Sequence, residues 1–321
     1  MSRVHLYGAS GYAAAEAILL LLRHPHFTLG LLESASHAGQ PIGAHFPRLR
    51  SLDRTFDGEG SVLDGLAPDD AVILGGSHGV AKTIAPQLLE RGARVIDLSG
   101  DYRLPPTPAV YGYAERYRDA IAGAQFVANP GCYPTATLLA TLPLALLRPH
   151  RIIVDAKSGI TGAGRTPLVT SLFAEVTDDV RAYGLSGHRH EPEILEQWRS
   201  AGIDAPLTFT PHVVPIARGM LVAAYCVFDT SVDERDVRST FVRAYAGNPF
   251  VRILDGAAAP SIPAVVGTND AEIGITVLDD VVRVICAIDN LGRGAAGQAV
   301  RNLNLMCGYP EELGLHARAY A

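Results

Sequence analysis

The chain has 321 residues, of which 48% are hydrophobic and 19% charged, and its formal net charge is -6 at neutral pH. This is the composition of a globular protein with one or two domains, not of a disordered chain. The negative charge argues against a nucleic-acid-binding surface, and no apolar run is long enough to cross a bilayer. Neither nucleic acid nor a membrane is therefore an expected partner.

The cysteines and the N-terminus predict the compartment. Cys132, Cys226, Cys286 and Cys307 are widely spaced and contain no Cys-x-x-Cys pair, which favours reduced thiols over a disulfide framework or a zinc ribbon. The N-terminus enters a strand pattern directly and lacks the layout of a signal peptide. We therefore expect a soluble, cytoplasmic protein.

The chain opens with a pattern typical of nucleotide binding. A short strand, Val4–Tyr7, is followed at once by a glycine turn and then by an apolar helix that continues to Leu22. Small residues in such a turn let backbone N–H groups approach a pyrophosphate at the helix start. The alternative is a tight turn that needs glycine only for its backbone angles. The candidate cofactor-binding residues are Gly8, Ser10, Gly11 and Tyr12.

The second predicted strand, Phe27–Leu32, ends in residues that bear on the choice of cofactor. An acidic residue at this place contacts the ribose hydroxyls of NAD, whereas an arginine favours the 2′-phosphate of NADP. Glu33 lies slightly earlier in the sequence than the usual acidic residue, and the residues that follow it, Ser34–His37, include no arginine. Ser34 and Ser36 are candidates for hydrogen bonds to a phosphate, although serines in a loop are often turn residues. NADP and NAD both remain open.

Alternation of strands and helices then continues. Predicted strands at 71–74, 95–98 and 125–128, with a helix at 80–91, indicate a Rossmann-like, doubly wound parallel sheet. Between the last two strands, residues 101–118 are rich in proline and tyrosine and predict an irregular loop. In that loop Arg103 and Tyr111 are exposed candidates for substrate contact, with a purely structural loop as the alternative.

Cys132 lies at the most informative point of the chain. The run Asn129-Pro130-Gly131-Cys132-Tyr133-Pro134-Thr135-Ala136 follows a strand and leads into an apolar helix predicted over 133–147. Proline is tolerated in the first helical turn, where its missing N–H does no harm. A thiol at a helix N-terminus faces unpaired N–H groups that favour thiolate. The alternative is a buried cysteine that fills space.

Two loops in the second half carry further polar candidates. A strand at 151–157 runs into a glycine-rich loop, Lys157–Arg165, and His188-Arg189-His190 precedes a helix predicted over 194–201. Two histidines flanking an arginine suggest chemistry. A metal site would need a third and a fourth ligand, and no Cys or acidic cluster has suitable spacing, so we expect no metal.

The remaining pattern is mainly that of strands. Strands predicted at 207–210, 220–228, 273–277 and 282–288 indicate a mainly antiparallel sheet with helices on one face, which makes a second, α+β domain. Asp279-Asp280 is a plausible hairpin tip, and Ser231–Glu234 reads as a capping box. The last helix is predicted to continue through Met306, with Gly308 as its C-cap.

Eight motifs occur along the chain in one order: Gly8–Tyr12, the Cys132 turn, Lys157–Arg165, His188–His190, Thr210–Pro215, Arg218-Gly219, Asp289–Gly292 and Gly294–Ala299. In combination and in this order, they strongly resemble the N-acetyl-gamma-glutamyl-phosphate reductase family, NADP-dependent enzymes of arginine biosynthesis. The resemblance covers nearly the whole chain. A sister family, the carrier-linked aminoadipate phosphate reductases of lysine biosynthesis, shares these motifs, and aspartate-semialdehyde dehydrogenase is more distant.

The resemblance implies reduction of an acyl phosphate to an aldehyde. Cys132 would form a thioester, which hydride from the nicotinamide would then reduce. A helix N-terminus supplies roughly 0.3–1 kcal/mol, less than one pKa unit, so the thiol also needs a base or cation. His190, with His188 as second choice, is the expected acid/base. Ser158, Gly159 and Asn290 would line the nicotinamide side, and Arg103, Arg165 and Arg189 would hold phosphate and carboxylate groups.

The family also implies a domain division and an assembly. Residues 1–131 and 292–321 would form the dinucleotide-binding domain, and residues 132–291 the catalytic and dimerisation domain. A homodimer or homotetramer is expected. Two departures, Ala35 where members commonly carry arginine and Gly75-Gly76-Ser77 before His78, bear on cofactor preference. Alternatives of another class are a non-catalytic nucleotide-sensing protein and a Cys/His acyl hydrolase without cofactor.

Overall fold

The computed structural model of the protein describes residues 2–167, 169–256 and 258–315. The chain divides into two compact units. The first comprises the described residues up to Gly131 and those from Ala295 onward, and the second is Cys132–Gly294. The chain therefore forms most of the first unit, then the whole of the second unit, and returns to the first unit at Ala295.

The described residues form strands and α-helices in the following chain order, with 3₁₀ turns between some of them. The strands are β1 (Ser2–Tyr7), β2 (Phe27–Glu33), β3 (Ala71–Leu74), β4 (Arg94–Asp97), β5 (Val110–Tyr111), β6 (Phe126–Ala128), β7 (Arg151–Gly159), β8 (Arg181–Ala182), β9 (Leu207–Val214), β10 (Met220–Val227), β11 (Val251–Ile253), β12 (Ala271–Leu278) and β13 (Val281–Ile288). The helices are α1 (Tyr12–Leu21), α2 (Ile42–His45), α3 (Ser61–Gly65), α4 (Val80–Glu90), α5 (Ala114–Ala122), α6 (Cys132–Thr141), α7 (Phe173–Val176), α8 (Glu191–Ser200), α9 (Glu234–Ala244), α10 (Ile262–Val265) and α11 (Gly297–Met306).

The first unit is built on a parallel sheet with the strand order β2-β1-β3-β4-β6-β5. Its strands are short and apolar because helices cover both faces of such a sheet, and all of β3 is buried. The chain leaves β1 for β2 on one side and then crosses to β3 on the other. That reversal is the place where doubly wound sheets bind ligands, beyond the carboxyl ends of the strands. The predicted Rossmann-like sheet is confirmed.

The segment 101–118 differs from its prediction as an exposed, irregular loop. It contains β5, which pairs in parallel with β6, and it includes the start of α5. Arg103 and Tyr111 are each only 9% exposed, so their prediction as exposed loop residues was wrong. The Arg103 guanidinium donates to the carbonyl oxygens of Asn129 and Leu98, both at 2.8 Å. These long-range contacts bury a residue that its local sequence places on a loop.

The second unit carries a mixed sheet with the order β11-β12-β13-β10-β7-β9-β8. Its pairings are antiparallel except β11 with β12 and β7 with β9, so the prediction of a mainly antiparallel sheet holds. Helix α6 packs on β10 and β13, α8 on β9, and α9 on β12. Alternate residues of β7 such as Ile152 and Val154 are fully buried beneath them.

The hairpin, helix and capping box predicted for this unit from local sequence are only partly confirmed. The hairpin tip at Asp279-Asp280 is confirmed, since Leu278 pairs with Val281 and Asp279 adopts a positive φ of 55°. The helix predicted over 133–147 ends at Thr141 and continues as a 3₁₀ turn, Leu142–Leu147, that contains Pro143. The predicted capping box at 231–234 was wrong. Asp233 caps α9 instead, accepting from the backbone N–H of Arg235 at 2.7 Å.

The C-terminal helix α11 belongs to the first unit and packs against α1, α5 and β4. It follows a π-helical turn, Gly292–Ala296, and its C-cap is Cys307, so the prediction of Gly308 as the C-cap was one residue late. Gly308 is the next residue, and its φ of +70° is the left-handed conformation that ends helices at this position. Within the part of the chain that the structure describes, no helix is long and apolar enough to span a membrane.

Candidate active site

The glycine turn of the first unit has the shape of a phosphate cradle. Gly8 adopts a φ of +73°, and a Cβ there would lie 2.8 Å from the carbonyl oxygen of Gly75. Gly11, the N-cap of α1, differs, because a Cβ at this position would meet nothing within 4 Å. No side chain caps this helix start. A pyrophosphate could approach the backbone here, so the residues present fit a dinucleotide.

The other predicted cofactor residues of this unit lie where β2 ends. Ser34 is 4% exposed and its backbone N–H donates to the carbonyl oxygen of Asp57, whereas Ser36 is exposed. Ala9 of the glycine turn donates its N–H to the carbonyl oxygen of Glu33 at 2.8 Å. The turn after β1 and the turn after β2 are therefore neighbours. Ser10 and Tyr12 are both partly exposed at this edge.

In the second unit Cys132 is the first residue of α6, as predicted. Gly294 packs directly on it, since a Cβ at Gly294 would lie 2.7 Å from the Cys132 Cβ. Cys132 is partly exposed, and Cys226 and Cys286 are fully buried. A partly exposed thiol at a helix N-terminus has the position from which a cysteine can react.

A cavity of about 410 Å³ opens beside this thiol and brings most of the predicted site residues of the second unit together. Arg165 and Asn290 are not among the described residues that line it. Arg165 is exposed on the adjoining loop. The lining consists of the predicted Cys132, Ser158, Gly159, His188, Arg189 and His190, together with Tyr133, Ile160, Gly162, Ala163, Thr170, Ser171, Arg181, Tyr183 and Val213.

The two histidines of the His-Arg-His motif differ in environment. Nδ1 of His188 accepts the backbone N–H of His190 at 3.2 Å. Burial, with a smaller contribution from the Arg189 guanidinium, lowers the pKa of His188 to about 4. His188 is therefore a neutral imidazole at neutral pH, with its Nδ1 lone pair already in use. His190 is 4% exposed and occupies the N-cap of α8, and its ring lies 4.9 Å from that of His188.

Two tyrosines line the cavity beside these histidines. The Tyr183 hydroxyl donates to that of Tyr133 at 3.2 Å, and the Tyr133 hydroxyl donates to the carbonyl oxygen of His212 at 3.2 Å. Burial raises the pKa of both phenols, so each stays protonated at neutral pH. The Tyr133 ring stands edge-on to those of His188 and His190.

The structure gives several of the predicted residues a packing role. A Cβ at Gly159 would lie 2.8 Å from the backbone nitrogen of Arg218, so only glycine fits there. Asn290 donates to the Thr161 hydroxyl at 3.0 Å and accepts the Gly219 N–H at 2.7 Å. The side chain of Asn290 thus holds two loops together.

Sequence reasoning missed Tyr133, Tyr183, Arg181 and Gly294. Arg181 lines the cavity while it donates to the Asp179 carboxylate at 3.0 Å. Tyr133 adjoins the cysteine and Gly294 lies in a Gly-Arg-Gly run, so the neighbouring sequence could have indicated both as site residues. Tyr183 and Arg181 carried none, because irregular chain and a two-residue strand bring them to the cavity. Among the described residues, no three His, Cys, Asp or Glu side chains are grouped to hold a metal.

Comparison with known proteins identifies relatives along the whole chain. Residues 3–124 match the family model described as semialdehyde dehydrogenase, NAD binding domain, and residues 132–290 match semialdehyde dehydrogenase, dimerisation domain. The N-acetyl-gamma-glutamyl-phosphate reductase of Citrifermentans bemidjiense is 42% identical over 345 residues, covering 98% of each chain. The enzyme of the same name from Pelotomaculum thermopropionicum is 39% identical over 337 residues, covering 98% of this chain and 97% of the relative.

Solved structures share the fold. Aspartate semialdehyde dehydrogenase II of Vibrio cholerae, complexed with ASA, superposes with a TM-score of 0.77 at 16% identity, covering 96% of this chain and 98% of that one. The aspartate semialdehyde dehydrogenase of Candida albicans, solved with NADP, gives 0.72 at 18% identity, with coverages of 96% and 98%.

The contact between Gly294 and Cys132 predicts the effect of a small substitution. In Gly294→Ala the added methyl group overlaps the Cys132 Cβ, so we expect a loss of about 1–3 kcal/mol in unfolding free energy. Urea denaturation measures it. The control is Gly58→Ala, where a Cβ meets nothing within 4 Å. Equal stability of the two variants would contradict the contact.

The low pKa of His188 predicts a pH effect on stability. The pKa is about 4 in the folded state and near 6.5 in the unfolded chain. As pH falls from about 6.5 to 4, only the unfolded state takes up this proton, so the folded state loses stability. Allowing for partial exposure, His188→Asn should lose about 1 kcal/mol less than wild type between pH 7 and 5. Urea denaturation of both, with His26→Asn at an exposed histidine as control, tests it.

Proposed function

The chain belongs to the N-acetyl-gamma-glutamyl-phosphate reductase family, and from this premise we propose that it reduces N-acetyl-gamma-glutamyl phosphate to N-acetylglutamate 5-semialdehyde with release of phosphate, a step of arginine biosynthesis. One observation carries the proposal. Cys132, at the first residue of α6, lines the same cavity as His188, Arg189 and His190. The aminoadipate alternative finds no support among the relatives described above, which are N-acetyl-gamma-glutamyl-phosphate reductases by name.

In the proposed reaction the Cys132 sulfur attacks the acyl carbon of the substrate. The bond from that carbon to the phosphate oxygen breaks, phosphate leaves and a thioester forms on Cys132. NADPH, when bound, supplies the hydride that reduces this thioester carbon. The carbon–sulfur bond then breaks, which releases the semialdehyde and restores the thiolate. Sulfur suits both halves because it is a strong nucleophile and a good leaving group.

His190 is the proposed acid/base. It would accept the proton of the Cys132 thiol, return it to the oxyanion that develops after hydride transfer, and take it back from that hydroxyl as the carbon–sulfur bond breaks. His188 suits this role less well because its pKa of about 4 leaves it a weak base. Its Nδ1 accepts the backbone N–H of His190. We therefore assign His188 to orienting the residue that carries the proton.

Arginines at the cavity are the proposed anion holders. Arg189 and Arg181 both line it, and guanidinium binds phosphate and carboxylate groups in bidentate fashion. Arg165, on the loop that follows the lining residue Ala163, is a further candidate. Arg103 is buried and donates to two backbone carbonyls, so we propose that it holds the chain ahead of Cys132.

The cofactor contacts follow the same division into units. In the first, the turn that contains Gly8, Ser10, Gly11 and Tyr12 would bind the pyrophosphate. In the second, Ser158 and Gly159 line the cavity and are the proposed contacts on the nicotinamide side, and Asn290 would act by holding their loop. The first unit matches an NAD binding domain, which supports the proposal.

The mechanism predicts that Cys132→Ser abolishes phosphate-dependent oxidation of the semialdehyde, since a serine hydroxyl is a far weaker nucleophile and leaving group. Nucleotide binding should stay within about two-fold of wild type.

His190→Ala should lower kcat roughly 10²–10⁴-fold, the usual contribution of general acid–base catalysis. Stopped-flow absorbance of NADPH measures the activity of both variants, and direct binding titrations measure nucleotide binding by Cys132→Ser.

The control for these variants is Cys307→Ser, a partly exposed thiol of the first unit outside the cavity. It should keep full activity. Full activity in Cys132→Ser would overturn the mechanism. Nucleotide binding with no labelling of Cys132 by iodoacetamide at neutral pH would instead favour a non-catalytic nucleotide sensor.

We also propose a homodimer formed through the face of the second sheet that lies opposite α6. Ile153, Tyr225 and Arg283 stand side by side on β7, β10 and β13, on the face opposite α6. Ile153 is 36% exposed, which is unusual for isoleucine at the centre of a sheet. This unit matches a dimerisation domain, so a second copy is the proposed occupant. A tetramer remains a further expectation.

This surface gives a direct test. Ile153→Asp places a charge in the proposed interface and should convert the dimer to monomer at micromolar concentration, because an unpaired buried charge is costly. Val242→Asp, at an aliphatic residue 59% exposed on α9, should leave the dimer intact. Sedimentation velocity of both variants decides. A dimeric Ile153→Asp, or a Val242→Asp that dissociates equally, would overturn this interface.

The four cysteines, all among the described residues, form no disulfide bond, which supports a reducing compartment. We therefore propose a cytoplasmic location for the chain.

A further inference from the structure

The group at the end of a hydrogen-bond chain in the cavity wall fixes the direction of that chain. It runs from the Tyr183 hydroxyl to the Tyr133 hydroxyl and on to the carbonyl oxygen of His212, with 3.2 Å between the oxygens at each step. A carbonyl oxygen can only accept, so Tyr133 donates its proton to His212. Tyr183 must then donate its own proton to Tyr133. The phenol oxygen of Tyr183 is left with lone pairs alone, so toward a ligand it is a hydrogen-bond acceptor.

Tyr183 is held in one protonation state and in one place. Burial raises its pKa, and the charge of a Cys132 thiolate adds to the rise, so the phenol is protonated at neutral pH and lies within electrostatic reach of the sulfur. Its backbone N–H donates to the carbonyl oxygen of Pro211 at 3.0 Å. Its ring stands edge-on to that of His188, with 5.5 Å between centroids. The acceptor is therefore a fixed feature of the cavity wall.

The charged groups at the cavity determine which kind of donor can pair with this oxygen. Arg181 and Arg189 line the cavity, and none of the described lining residues is Asp or Glu. The Asp179 carboxylate already accepts from the Arg181 guanidinium at 3.0 Å. A substrate ammonium group would meet two cations and no lining carboxylate, which disfavours it. A neutral amide N–H is a donor without this cost.

We propose that the phenol oxygen of Tyr183 accepts the amide N–H of the substrate's N-acyl group and makes the protein selective for substrates that carry this amide. The inference rests on the proposed function, which supplies the identity of the substrate. At neutral pH the carboxylate, the phosphate and both carbonyl groups of N-acetyl-gamma-glutamyl phosphate are acceptors, and its amide N–H is the donor. The arginines are then left for the anionic groups.

The position of Tyr183 relative to the nucleophile suits this assignment. In the substrate a short carbon chain separates the amide nitrogen from the acyl carbon that the Cys132 sulfur attacks. An acceptor for the amide must therefore lie in the same cavity as the sulfur, at the distance of a few bonds. Tyr183 and Cys132 line one cavity, and the phenol is close enough to respond to the charge of the thiolate.

The test compares two aldehydes that differ in one group. N-acetylglutamate 5-semialdehyde has the amide N–H, and 2-acetoxy-5-oxopentanoate has an ester oxygen in its place. Each is oxidised by the full chain with phosphate and NADP⁺, and kcat/KM is measured from the absorbance of NADPH. Wild type should prefer the amide roughly five- to ten-fold, as expected for one neutral hydrogen bond. In Tyr183→Phe the value for the amide should fall by about this factor, with that for the ester changed less than about two-fold.

Two further variants separate recognition from a structural effect. Tyr133→Phe removes the group that takes up the Tyr183 proton, so the Tyr183 hydroxyl becomes able to donate to the ester oxygen. The preference for the amide should then fall below about two-fold with Tyr183 intact. Tyr245→Phe is the matched control, because the Tyr245 hydroxyl donates to the carbonyl oxygen of Leu139 at 2.6 Å and neither residue is among those that line the cavity. It should keep the preference of wild type.

The outcomes distinguish the inference from the proposed function. Equal kcat/KM for the two aldehydes in wild type, an unchanged preference in Tyr183→Phe, or equal losses for both aldehydes in that variant would each overturn the inference and leave the function intact. A raised KM for NADP⁺ with an unchanged preference would also overturn it and assign Tyr183 to the carboxamide of the nicotinamide. Failure of wild type to oxidise either aldehyde would remove the proposed function, and the inference with it.

Discussion

The arrangement of the second unit depends on one buried carboxylate, that of Asp289. Its side chain is fully buried, which would cost several kcal/mol if its charge were not compensated. The Arg218 guanidinium Nε lies 2.8 and 2.6 Å from its two oxygens, and the backbone N–H groups of Gly267 and Leu291 donate at 2.6 and 2.9 Å. One charge therefore fixes three loops that are far apart in sequence.

The position of the candidate nucleophile follows from this arrangement. The loop that begins at Asp289 reaches Gly294, whose Cα lies against Cys132 so closely that a Cβ would overlap it. The loop that contains Arg218 passes over Gly159, where a side chain would meet the backbone. The Cys132 helix start is thus enclosed by chain that is packed from a distance. The helix dipole favours a thiolate there, and the packing decides which groups surround it.

Sequence patterns predicted the parts of this molecule that are set locally. The glycine turn, the cysteine at the start of α6 and the hairpin at Asp279 each follow from a few adjacent residues. Predictions failed where distant residues decide, as for Arg103, whose guanidinium is buried by carbonyls that no local pattern reveals. Tyr183 and Arg181 were missed for the same reason, because irregular chain and a two-residue strand bring them to the cavity.

His188 and Glu33 show how a hydrogen bond within the protein limits what a side chain can do. In the His-Arg-His motif, burial and, less strongly, the Arg189 guanidinium lower the pKa of His188, and its Nδ1 accepts the backbone N–H of His190. At the end of β2, the Glu33 carboxylate accepts the backbone N–H groups of Gly60 and Val62 at the start of α3. In both places a group that the sequence offers as a ligand contact already accepts a hydrogen bond from the backbone. Because backbone N–H groups occur at every residue except proline, residue type and spacing alone do not reveal that His188 Nδ1 and the Glu33 carboxylate accept these hydrogen bonds.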